Sequence, residues 1–85
     1  MEISKGSLVY SRAGKDKGKL FLVTGLEDGY VYYADGKTRQ VKKPKKKKII
    51  HINKTNTVLE IGENITDIDV RKALSKYSNL SWEEE

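Results

Sequence analysis

The chain contains no cysteine, and it holds single copies of histidine (His51), proline (Pro44), phenylalanine (Phe21) and tryptophan (Trp82) among 85 residues. Without cysteine, disulfides and thiolate zinc sites are excluded, and one histidine rules out a His-cluster metal site. No apolar run approaches the roughly 18 residues of a membrane-spanning helix. The opening residues MEISKGS lack the long apolar core of a secretory signal. A cytoplasmic protein without membrane contact is expected. Nucleophilic catalysis wants a serine, threonine or cysteine beside a base. The one candidate base, His51, lies among isoleucines and lysines, where a histidine is usually structural or a surface residue. GKDKGK lacks the GxxxxGK[ST] spacing of a phosphate-binding loop. The expectation is a protein with no enzymatic activity, no metal and no cofactor.

What the chain has is positive charge, unevenly spread. Residues 1–54 carry 14 Lys and Arg against 5 acids, a net of +9, and residues 55–85 carry 3 against 7, a net of −4. Between Lys37 and Lys48, eight of twelve residues are Lys or Arg. Like charges packed this densely repel one another, and a polyanion relieves that repulsion while releasing its own counterions. A polyanionic partner for the basic body is therefore expected, against the blander reading of a solvated, solubilising face. A chain of this length is one domain with a modest core and marginal stability.

The stretch from Gly6 to Val23, GSLVYSRAGKDKGKLFLV, sets two apolar runs around a turn rich in glycine and lysine. Val, Tyr and Phe suit half-buried strands. Strands are predicted over Ser7 to Arg12 and Leu20 to Leu26, with Gly14 and Gly18 supplying positive φ in the turn. Gly25 marks a bulge or sharp bend late in the second strand.

This stretch resembles the KOW motif, a strand-loop-strand of ribosomal proteins and transcription elongation factors, through Gly6, Val9, Gly14, Gly18 and the apolar residues after Lys19. DGKTRQVKKPKKKKIIHI, Asp35 to Ile52, is similar to the second half of short bacterial KOW-domain RNA-binding proteins. Those proteins are themselves similar to KOW-containing large-subunit ribosomal proteins of archaea and eukaryotes. The resemblance covers about residues 3–53. It implies a mainly β fold, a small SH3-like β-barrel of the KOW type, whose loop touches RNA.

Further along, Glu27-Asp28-Gly29 reads as a turn, Tyr30 to Ala34 as the third strand, and Asp35-Gly36 as a two-residue hairpin turn. That hairpin would set Ala34 opposite Lys37, Tyr33 opposite Thr38 and Tyr32 opposite Arg39. Tyr30, Tyr32, Lys37 and Arg39 would then share one face, and Val31, Tyr33, Thr38 and Gln40 the other. Tyr32 and Arg39 are expected outward because Lys and Arg rarely enter a small core. Tyr30 and Tyr33 are assigned to the core, and Tyr32 stands between core and surface. Pro44 belongs to an edge or loop. Lys47 to Ile52 reads as the closing strand, Asn53 to Asn56 as a linker, Thr57 to Ile61 as a further short strand and Gly62-Glu63-Asn64 as a turn.

A C-terminal α-helix is predicted over about 67–77. Thr66 is the N-cap and Asp69 its capping-box partner, with Ile65 and Val70 placed as a hydrophobic staple. Val70, Ala73, Leu74 and Tyr77 form one apolar stripe. A helix of about eleven residues is marginal alone and must pack on the barrel. The division is thus residues 1–53 as the barrel and 54–85 as an extension carrying the helix. Asn79 to Glu85 reads as a frayed end, whose Glu83, Glu84 and Glu85 would alternatively fold back on the lysines.

The expected function is RNA binding, with ribosomal RNA or the ribosome as partner, by a monomer associated with translation. Arg12, Lys15, Lys17 and Lys19 on the turn, with Lys37, Lys42, Lys43, Lys45, Lys46, Lys47 and Lys48, are the candidate phosphate contacts. Arg39 is the candidate for a planar two-donor contact, and Tyr32 for stacking on an unpaired base. RNA in preference to DNA is what the resemblance implies. The alternative is a protein-interaction barrel of the SH3-like kind, for a transcription or ribosome-assembly partner, with its lysines solvated. PKKKK also has the form of a nuclear localisation signal.

Overall fold

The computed structural model describes residues 3–77. The expectations for the acidic end, Asn79 to Glu85, lie outside the described residues. Five strands and one helix follow in order: β1 (Ser7–Ser11), β2 (Leu20–Glu27), β3 (Tyr30–Ala34), β4 (Lys45–Lys48), β5 (Ile52–Val58) and α1 (Asp67–Lys76). The strands form one antiparallel sheet in the order β4-β3-β2-β1-β5. The fold is mainly β with a C-terminal helix. β4 and β5 are the two edges of the sheet, joined in sequence by a single 3₁₀ turn, Ile49–His51.

Both faces of the sheet are covered, because alternate residues of β1 and β2 are apolar in both phases. Val9, Phe21, Val23, Val31, Tyr33 and Ile52 form one core, with Ile3 and Ile49 against it. Phe21 and Tyr33 stack there with ring centroids 4.0 Å apart. Leu8 and Leu22, one residue out of phase, belong to a second core with Val70 of α1, joined by Val41, Ile65, Leu74 and Tyr77. Each fully buried side chain of this size contributes about 1.5–3 kcal/mol. The second core is what holds the helix, as the apolar stripe requires.

The capping box forms: the Asp69 amide donates to Thr66 Oγ1 (3.2 Å) and the Thr66 amide to Asp69 Oδ2 (3.1 Å). The amide and hydroxyl of Thr66 hold the Asp69 carboxyl below its ordinary range. Two further bonds dock the helix. Arg71 Nη1 donates to the Gly36 carbonyl (2.6 Å), and the Val41 amide donates to Asp67 Oδ1 (2.8 Å). Gly36 has φ +78°, and a Cβ there would run into the Asp67 carbonyl oxygen and stand 2.8 Å from Arg71 Cγ. The position therefore needs glycine twice over, for its backbone conformation and for the close approach of α1.

The bulge expected at Gly25 is present as a register shift between Val23 and Gly25. The β2–β3 hairpin closes with Glu27 opposite Tyr30, leaving Asp28 and Gly29 as its two loop residues. The hairpin expected at Asp35-Gly36 does not form. The Asp35 carboxylate instead accepts the Lys37 amide (2.8 Å), the Arg39 amide (2.9 Å) and Thr38 Oγ1 (3.0 Å). This curls the chain into a loop over residues 35–44, and Arg39 does not face Tyr32. β4 takes that place, setting Tyr33 opposite Lys45, Tyr32 opposite Lys46, Val31 opposite Lys47 and Tyr30 opposite Lys48.

The closing strand expected over Lys47 to Ile52 is split in two by the 3₁₀ turn. The expected linker, Asn53 to Asn56, lies within β5, so a division after residue 53 falls inside a strand. β5 pairs with β1, and Thr55 Oγ1 donates to the Leu8 carbonyl (2.6 Å). Tyr33 is in the core as expected. Tyr30, expected there too, lies half-buried on the other face with Tyr32. Among the described residues no helix is long and apolar enough to cross a membrane.

Candidate nucleic-acid interface

The glycine-rich turn between β1 and β2 is a 3₁₀ turn, Gly14–Asp16, with φ +76° at Gly14 and +83° at Gly18. Its basic side chains Arg12, Lys15, Lys17 and Lys19 are all exposed. The exception inside the turn is Asp16, which is 5% exposed. Its Oδ2 accepts from the Tyr33 hydroxyl (3.0 Å), from Arg39 Nε (3.2 Å) and from Arg39 Nη2 (3.0 Å). A buried carboxylate is tolerated only when paired and hydrogen-bonded, and this one is both. Burial, then the bond to Asp16, pushes the Tyr33 phenol up to about 12. The acid therefore anchors the lysine turn onto β3 and onto the 35–44 loop.

The same geometry changes the reading of Arg39. The planar two-donor contact expected toward nucleic acid is made inside the protein, to Asp16, and the side chain is 30% exposed. Arg39 shapes the surface more than it presents one.

The four lysines of β4 divide by strand alternation. Lys45 and Lys47 share the face of Tyr33 and Val31 and are half-buried. Lys47 Nζ reaches the Ala13 carbonyl (3.0 Å), its apolar stem lying over the core face while its head finds an acceptor at the rim. Lys46 and Lys48 are exposed on the opposite face, beside Tyr32 and Tyr30. Lys46 Nζ donates to Glu27 Oε2 (2.6 Å) and lies 4.6 Å from the centroid of the Tyr30 ring. Glu27 Oε1 accepts from the Tyr32 hydroxyl (2.7 Å). The bonds from Lys46 and then Tyr32 hold the Glu27 carboxyl low, and the bond to Glu27 raises the Lys46 ammonium and the Tyr32 phenol. The single clamp expected over Lys45–Lys48 is thus distributed over two faces.

Two of the predicted segments are brought together. The Lys47–Ala13 bond sets β4 against the glycine-rich turn, and the Arg12 amide donates to the His51 carbonyl (2.8 Å). Arg39 ties the 35–44 loop to the same turn, where Lys37 is exposed. Lys42 and Lys43 are exposed at the far end of that loop. There Lys42 lines a cleft of about 730 Å³ with Tyr32, Pro44, Lys5 and the segment 61–67. Lys5 and the 61–67 segment were not predicted as site residues. They reach the cleft from opposite ends of the chain, and no local pattern marks them.

Compared with known proteins, the chain matches no family model and no curated protein.

Proposed function

We propose that the protein is a non-catalytic RNA-binding module of the translation machinery, built on a small SH3-like barrel of the KOW type and acting as a monomer. Arg12, Lys15, Lys17 and Lys19 hold phosphates, and Lys48 extends the contact along the outer edge. The barrel reading draws support from the 3₁₀ turn that joins the two edge strands directly and from the core enclosed on one face of the sheet. The observation that carries the functional reading is the Lys47–Ala13 bond, which sets two cation-rich segments side by side on a braced scaffold. Cations held adjacent before binding gain counterion release at little ordering cost. RNA in preference to DNA rests on the resemblance of Gly6 to Ile52 to KOW-domain proteins.

The test is affinity for a structured ribosomal RNA fragment and for duplex DNA of equal length, across a salt series, with Lys15, Lys17 and Lys19 changed together to Ser. RNA is preferred at physiological salt. The variant's log–log salt slope is shallower by up to about 0.7–0.9 per lost contact. Equal, weak binding of both nucleic acids, unaltered in the variant, refutes the reading and turns the search to a protein partner.

A further inference from the structure

We infer that the cleft beside Tyr32 receives an unpaired nucleotide, so that the protein binds single-stranded RNA segments by inserting a base. The inference rests on the RNA-binding reading and adds to it the class of RNA and a second contact surface.

The cleft opens on the outer face of β2 and β3, between that face and the loops that carry Lys42, Pro44 and residues 61–67. At about 730 Å³ it falls within the roughly 300–1,000 Å³ common for small-molecule sites. Tyr32, Pro44, Ile61 and Ile65 supply its apolar walls, and Lys5 and Lys42 supply positive charge. A nucleotide has the matching parts, a flat apolar-faced base and an anionic phosphate.

Tyr32 is prepared for stacking. Its hydroxyl is fixed on Glu27 (2.7 Å), and its carbonyl accepts from Thr24 Oγ1 (3.4 Å). Its neighbour on β2 is Gly25, at the bulge, where a Cβ would stand 3.6 Å from the ring. On the β2 side the ring lies over bare backbone, on the β4 side it has Lys46, whose Nζ is 6.0 Å from the ring centroid, and its orientation is set before any ligand arrives. A ring already held in place loses little entropy on stacking.

Two observations choose the occupant. Among the described residues Tyr32 is the single aromatic lining the cleft, whereas a groove for proline-rich peptides displays several. Lys5 and Lys42 line the cleft together with Glu63 and Asp67, the Asp67 carboxylate accepting the Val41 amide, and the exposed Lys43, next in sequence to Lys42, tips the local balance toward positive charge and an anionic occupant. A base inside a duplex is stacked and paired and does not reach such a cleft, so the occupant is a looped-out or single-stranded nucleotide.

The experiment measures fluorescence anisotropy of a short unstructured oligoribonucleotide and of a blunt RNA duplex of the same length, at fixed moderate salt. The proteins are the wild type, Tyr32→Ala, Tyr32→Phe and Lys42→Ser, each checked by circular dichroism. Stacking of one base is worth about 1–3 kcal/mol, so Tyr32→Ala weakens single-strand binding roughly 5- to 150-fold. Tyr32→Phe keeps the stacking ring and loses only the exposed hydroxyl bond to Glu27, so it stays within about threefold of wild type. Duplex binding is unaltered in both. Lys42→Ser weakens single-strand binding without touching the sheet, and it decides the matter if Tyr32→Ala fails to fold. Unaltered single-strand affinity in Tyr32→Ala and Lys42→Ser overturns the inference, as does an equal loss for both RNAs. Failure of the RNA-binding reading is distinct, since then the wild type prefers neither RNA and the Lys15, Lys17, Lys19 variant matches it.

Discussion

Replacing Asp16 by alanine separates scaffold from charge. The substitution removes the acceptor of three hydrogen bonds, one from the Tyr33 hydroxyl and two from the Arg39 guanidinium. Tyr33 is 0% exposed, so its hydroxyl is left without its Asp16 acceptor in the interior, at a cost of about 1–3 kcal/mol. Breaking a fully buried ion pair costs about 3–5 kcal/mol. Arg39 is 30% exposed and can turn to water, so its share is well below that range. The sum expected is about 2–3 kcal/mol, a loss of roughly 10–20 °C in melting temperature for a domain of this size. The same change raises the net charge from +5 by one unit. On charge alone RNA binding would tighten. It is expected to weaken instead, because Asp16 is what pins the lysine turn to β3 and the 35–44 loop. Calorimetric melting and an RNA titration of the folded variant at low temperature check the two halves. A melting temperature within about 2 °C of wild type, or tighter RNA binding, refutes the reasoning.

Gly36→Ala is expected to cost more than about 1 kcal/mol, because the residue has positive φ and its Cβ meets Asp67 and Arg71. Undocking of α1, read as loss of helical ellipticity before the sheet melts, checks it, and wild-type stability contradicts it. In alkali, the folded-state phenol of Tyr33, pushed up to about 12, keeps its proton where an unfolded tyrosine near 10 has lost it. Its contribution is whole below pH 10 and is lost as the pH rises through about 12. Stability therefore falls across that window, and Tyr33→Phe flattens the fall in a pH series of denaturant midpoints. Identical curves for the two proteins contradict it.

The elements that were legible in the sequence are those whose signal is local. Tyr30 to Ala34 reads as a strand from its own residues, Gly25 as a bulge, and Thr66 with Asp69 as a capping box, and each is found. Asp35-Gly36 carries an equally strong local signal that is overridden. The Asp35 carboxylate has a choice of amides, and taking those of Lys37 and Arg39 lets Arg39 reach Asp16, 23 residues away. No local pattern reveals that competition. β4 and β5 were hidden for a related reason. Lysine and asparagine disfavour strands, and KKKK and INKTNTV become strands through their pairing with β3 and β1. Of the candidate site, the exposed lysines of the glycine-rich turn were legible from composition. The reassignment of Arg39, the division of β4 between two faces and the cleft around Tyr32 all depend on contacts distant in sequence.

The most direct measurement is amide chemical-shift mapping during titration with a structured RNA. The chain supplies its own control, because α1 is also basic, carrying Arg71, Lys72 and Lys76. Shifts are expected to concentrate at Arg12 to Lys19 and at Lys47 and Lys48, with the amides of Lys72 and Lys76 unmoved. Shifts centred on the helix, or none at the glycine-rich turn, would contradict RNA binding through the braced lysine turn.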